Sequence, residues 1–127
     1  MKVVFFPVKT TTAKLAKLTS IAASHFQKNQ PVLFFVQDDA SWEFLDKLFW
    51  QSPLESFLPH PSKLIQIRHT FDPAYATVFN LTSTPLVQDS IKTLYELEDH
   101  TSPDKLKASQ ERYNTYRHHE FQIVVEV

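Results

Sequence analysis

Glycine is absent from all 127 residues of this chain. A Walker loop, a dinucleotide-binding G-x-G-x-x-G turn and a G-x-S-x-G nucleophile elbow each need glycine, for positive φ or for close backbone approach to a ligand. All three are excluded, and with them the usual means of cradling phosphate on backbone amides. Cysteine is absent too, which excludes disulfides, thiolate metal sites and a cysteine nucleophile, and fits a reducing, cytoplasmic setting. No apolar run approaches the roughly 20 residues of a membrane span. The opening run Val3–Phe6 is interrupted by Pro7 and Lys9, so no signal peptide is expected. A formal charge of -1 is the wrong balance for a protein whose main business is neutralising phosphates.

What is present reads as an α/β pattern over one domain, residues 1–127. Val3–Val8 is a compact apolar run of buried-strand type, and Thr10, Thr11 and Thr12 are N-cap candidates for a helix carrying Leu15, Leu18, Ala22 and Phe26 on one face. Asn29–Gln30–Pro31 stops that helix. Val32–Val36 is a second short strand, and Asp38–Asp39 start a helix near Ala40 whose Trp42, Leu45, Leu48 and Phe49 share one stripe. Leu64–Arg68 alternates like a half-exposed strand, His69–Tyr75 reads as a loop, and Ala76–Leu81 as a strand. Val87–Ile91 is expected as one helical turn and Thr93–Leu97 as a further strand. Ser102–Pro103–Asp104 opens a helix that runs to about Arg117, and Phe121–Val125 closes the chain as a strand. Strand, helix, strand, helix with short connections predicts right-handed crossovers and a mainly parallel sheet of five or so strands. The expected fold is a three-layer, Rossmann-like domain without a phosphate-binding loop.

Chemistry-bearing clusters are few. His118 and His119 are adjacent, so their side chains diverge, and His25, His60, His69 and His100 show no ligand spacing; neither a metal site nor another cofactor is expected. Asp38–Asp39 reads as helix capping, and Glu96, Glu98 and Asp99 read as a solvated strand end. No nucleophile has a recognisable setting, so no enzyme is expected.

Two stretches stand out. After the second helix, Pro53 ends the pattern and Leu54, Phe57, Leu58, Pro59, His60 and Pro61 follow, too apolar for an ordinary solvated loop. These side chains either cover the core or are offered to a partner. In the last helix Lys105, Lys107, Arg112 and Arg117 lie beside Tyr113 and Tyr116. Either the tyrosines pack on the sheet and the cations are solvated, or the surface takes an acidic peptide ending in an aromatic residue and a free carboxylate.

Three segments carry a resemblance. LDKLFWQSPLESFLPH, TVFNLTSTP and QERYNTYRHHEFQI, in that order, resemble the chi subunit of bacterial DNA polymerase III. The resemblance implies a non-catalytic adaptor coupling the polymerase holoenzyme to single-stranded-DNA-binding protein. It implies that the acidic tail of that protein is held by Tyr113, with Arg112, Lys105, Lys107, Gln110 and Arg117 around it. It further implies that the psi subunit, which links chi to the clamp loader, sits on Trp50 and Phe57, with Pro59 and His60 nearby. The sequence departs from the family where an arginine and a lysine are replaced by Gln110 and Leu106, and where the helix-ending glycine is replaced within His118–Glu120, suggesting a different helix exit. Competing readings are a small metal- or phosphate-dependent nuclease or phosphohydrolase on the same fold, marked by an acidic cluster at the carboxyl ends of the strands, and a direct single-strand binder stacking bases on Tyr113 and Tyr116.

Overall fold

A computed structural model describes residues 1–50 and 64–126, Trp50 by its backbone alone. The elements are β1 (Lys2–Val8), α1 (Thr11–Gln27), β2 (Val32–Phe35), α2 (Asp39–Trp50), β3 (Ile65–Arg68), β4 (Thr77–Asn80), β5 (Thr93–Asp99), α3 (Pro103–His118) and β6 (Gln122–Val125). The strands form one six-stranded sheet in the order β3-β2-β4-β5-β1-β6, and every pairing is parallel. The Rossmann-like expectation holds, with one more strand than the five or so expected.

Side-chain parity builds the layers. Along β1, Val4, Phe6 and Val8 enter the core beneath α1 and α2, while Val3 and Phe5 enter the core beneath α3. Strands buried on both faces read as continuous apolar runs, which is why β1 and β2 are plain in the sequence. In α1 Leu18 and Ala22 are buried as expected, but at the end of the helix it is His25 that is buried, and Phe26 stays 38% exposed. In α2 Leu45 and Phe49 are buried and Trp42 and Leu48 pack against them. The Trp42 indole N–H donates to the Ile67 carbonyl at 2.7 Å and so ties α2 to β3.

Caps set the helix starts. Thr10 Oγ1 accepts from the Ala13 amide at 3.1 Å, Asp38 Oδ1 from Ser41 at 2.8 Å and Ser102 Oγ from Lys105 at 3.2 Å. Each satisfies one of the orphan amides of a first turn. The Val87–Ile91 segment differs from expectation. It is an irregular connection with a turn at Asp89–Ser90, closed by the Ile91 amide on the Gln88 carbonyl at 3.1 Å, and it anchors itself by burying Leu86 and Ile91 under α3.

Both long exits without glycine use the same left-handed stop. Asn29 follows α1 at φ 55 and Glu120 follows α3 at φ 60. After α3 the Glu120 amide bonds the Arg117 carbonyl at 3.0 Å and the Phe121 amide bonds the Tyr116 carbonyl at 3.3 Å. That pair of bonds, with Phe121 lying against Tyr116, is a Schellman stop. The expected different exit is therefore corrected: the geometry that glycine favours is kept and a glutamate carries it. A Cβ in this region costs about 1 kcal/mol, so Glu120→Gly is expected to raise unfolding free energy by about that amount in urea titration; an unchanged or lower midpoint would show that the exit is unstrained.

Candidate functional site

β5 runs through the middle of the sheet, and parity turns its Leu94 and Glu96 toward α3. Glu96 is 0% exposed. The reading of Glu96 and Asp99 as a solvated strand end is thus corrected. A carboxylate under a helix must be paired, and α3 supplies the partner. Arg112 Nε donates to Glu96 Oε1 at 2.9 Å, while Asn80 Nδ2 at 2.8 Å and the Tyr116 hydroxyl both donate to Oε2. Burial drives the Glu96 pKa up to about 7, against the Arg112 charge and the three hydrogen bonds. Burial, and then the neighbouring Glu96, raise Tyr116 as well. Asp99, also buried, faces α1 instead. Burial opposes its ionisation, but Lys14 Nζ at 2.7 Å and Thr101 hold its pKa below the ordinary value.

Sequence reasoning missed Glu96, Asn80 and Tyr116 as one network. The local signal was a lone acid inside the apolar run Leu94–Leu97, facing a helix that carries Arg112 and Tyr116 one turn apart.

The same network sorts the α3 residues. Arg112 is 6% exposed, so it is no solvated cation, and Tyr116 is 0% exposed. A stacking platform built on Tyr113 and Tyr116 is therefore ruled out for Tyr116, which is core. Tyr113 is half-buried, edge-on to Phe5 with ring centroids 5.5 Å apart. Leu106, Gln110, Tyr113 and Arg117 fall at i, i+4, i+7 and i+11 and share one flank of α3. Phe121 and Ile123 pack against the same core beneath it. Gln110, Lys107 and Arg117 are exposed, and neither cation makes an ion pair among the described residues. Lys105 and Arg112 turn the other way, into a crevice at the carboxyl ends of the strands. The structure thus splits the six expected residues: Tyr113, Gln110 and Arg117 come together, Lys107 lies outward of them, and Lys105 and Arg112 do not join them.

On the second expected surface, Trp50 ends α2, and its side chain, with Phe57, Pro59 and His60, lies outside the described residues. Among the described residues no group of three or more His, Cys, Asp or Glu could hold a metal ion, and no helix is long and apolar enough to cross a membrane.

Removing one member of a buried ion pair leaves the other unpaired, at about 3–5 kcal/mol. Arg112→Ala is expected to lose that much in urea unfolding. The pH dependence follows from the raised pKa of Glu96. Its proton uptake on folding stabilises fully below the unfolded value of 4.5, and this contribution is lost as pH rises through about 7. In thermal melts the margin of the natural protein over Glu96→Gln should therefore be larger near about pH 5 than near about pH 8. A pH-independent margin would mean that Glu96 is ionised throughout.

Compared with models of protein families, the chain matches that of the DNA polymerase III chi subunit, HolC, over residues 1–124. A search of curated proteins finds no match. The matched span includes the Glu96 network, the Tyr113 flank and five whole strands with most of the sixth. The chi subunit family is a non-catalytic accessory component of DNA polymerase III, working in DNA replication. The chain belongs to the DNA polymerase III chi subunit family.

Proposed function

We propose that this chain is the adaptor that binds the acidic C-terminal tail of single-stranded-DNA-binding protein and bridges it, through the psi subunit, to the clamp loader. The observation that carries the reading is the flank of α3 on which Tyr113, Gln110 and Arg117 come together beside Leu106. A half-buried ring next to an arginine with no ion pair among the described residues suits a peptide that ends in an aromatic side chain and a carboxylate: the ring packs, and the guanidinium forms charge-assisted bonds. Lys107, facing outward, adds attraction at a distance and governs the rate of encounter more than the strength of the complex. Gln110, where family members often carry arginine, donates a neutral hydrogen bond in place of a charged one and weakens the contact without closing the site. Psi is held by the aromatic surface of Trp50 and Phe57, an anchor of the kind that dominates interface energies.

The tail contact is tested by fluorescence anisotropy of a labelled acidic peptide ending in Phe with a free carboxylate. Micromolar, salt-sensitive binding is expected, weakened about three- to tenfold by Arg117→Ala and abolished by removal of the terminal Phe. Arg112 is unsuited to this test, since its loss unsettles the fold. Absence of binding at low salt would overturn the reading.

The psi contact is tested with Phe57→Ala, which is expected to leave the melting temperature unchanged while psi no longer co-purifies. Full recovery of psi with the variant would remove the aromatic anchor from the account.

A further inference from the structure

An all-parallel sheet places the carboxyl ends of its strands along one edge, and here the connections leave that edge in opposite directions. β1 and β2 lead into α1 and α2 on one face, whereas β4 and β5 lead into the 81–92 connection and α3 on the other. Where neighbouring strands diverge in this way, an open α/β sheet leaves a crevice suited to ligands. The crevice here measures about 480 Å³, within the roughly 300–1,000 Å³ of small-molecule sites. One part of its wall is apolar, from Leu18, Phe44, Leu45 and Leu81; another carries Lys14, Gln37, Ser41, Lys105 and Arg112.

Hydrogen-bond accounting decides what charge the occupant carries. Asp99 is the one carboxylate lining the crevice among the described residues, and it is committed to Lys14 and Thr101. Glu96, beneath the floor, accepts from Arg112, Asn80 and Tyr116. Gln37 Oε1 accepts from the amide and hydroxyl of Ser83. Donors remain in surplus. The Lys105 ammonium has no partner among the described residues. Arg112 spends its N–H groups on Glu96, Ser83, Leu97 and Ser109, which leaves one of a guanidinium's five over. Lys14 gives one bond to Asp99 and retains two N–H groups. An occupant that displaces water from these donors is favoured when it is rich in acceptors and negatively charged. Three cationic side chains, drawn from α1 and α3, line the crevice, and a phosphate, with more negative charge and more acceptor oxygens than a carboxylate, complements them better. Phe44, 55% exposed, lines the same crevice as the donors, and an exposed aromatic ring can stack a base.

We propose that the crevice binds a nucleoside 5′-monophosphate, with its phosphate on Lys105, Lys14 and the spare Arg112 N–H and its base against Phe44. Side-chain cations stand where related folds use glycine amides. Lysine stems must be ordered on binding, which sets the affinity on the order of 0.1–1 mM.

The test is a two-dimensional amide NMR titration of the whole protein with AMP, with adenosine and inorganic phosphate as separate arms and the acidic tail peptide as a fourth. AMP is expected to move the amides of Gln37, Ser41, Ser83 and Lys105, with adenosine and phosphate each at least about tenfold weaker. Lys105→Glu should weaken AMP by about tenfold or more; a glutamate three residues after the Ser102 cap completes a capping box, so the helix start is retained. Phe44→Ala should weaken AMP by about five- to tenfold. Absence of shifts at about 10 mM AMP would overturn the proposal, as would equal binding of phosphate alone. So would a tail peptide that moves these same amides and is displaced by AMP, which would assign the crevice to the peptide.

Discussion

One buried carboxylate holds the α3 side of the molecule together. Glu96 sits on a central strand, and the groups that reach it or its partners come from four different segments. Asn80 ends β4, Tyr116 and Arg112 belong to α3, the Tyr116 hydroxyl accepts from the Leu86 amide at 3.0 Å, and Arg112 also bonds the Ser83 and Leu97 carbonyls. A carboxylate taken out of water is tolerated only when it is well hydrogen-bonded, and three donors meet this one, so the network fixes these segments in a single arrangement. It tethers the irregular 81–92 connection, which has no strand or helix of its own.

That anchoring gives α3 two unlike flanks. Ser109, Arg112 and Tyr116 are spent on the sheet. The turns between them leave Tyr113, Gln110 and Arg117 on one side, and Lys105 with Ala108 on the other, toward the crevice. The carboxylate below makes the helix a rigid post rather than a floating amphipathic segment, and positions on its flanks are accordingly well defined.

Much of the fold was legible because its signals are local. Apolar runs gave β1 and β2, and cap residues gave the starts of α1, α2 and α3. What escaped was non-local. Spacing orders residues around α3 but does not say which direction meets the sheet, so Arg112 read as a surface cation. Alternation along β5 showed an acid among apolar neighbours, but its partners lie on an element that the strand itself does not specify. Val87–Ile91 has apolar ends that suit a helical turn, and the burial of Leu86 and Ile91 beneath α3 overrode that preference. Trp50, Phe57, Pro59 and His60 rest on the resemblance alone.

The two left-handed stops at Asn29 and Glu120 have a counterpart in the unfolded chain. A backbone with no glycine and eight prolines samples fewer conformations when denatured than an ordinary chain of its length. Folding therefore forfeits less backbone freedom than in a chain with the ordinary share of glycine, while among the described residues the left-handed strain falls at two helix exits. Part of this protein's stability thus resides in the narrowness of the state it leaves rather than in any contact of the state it reaches.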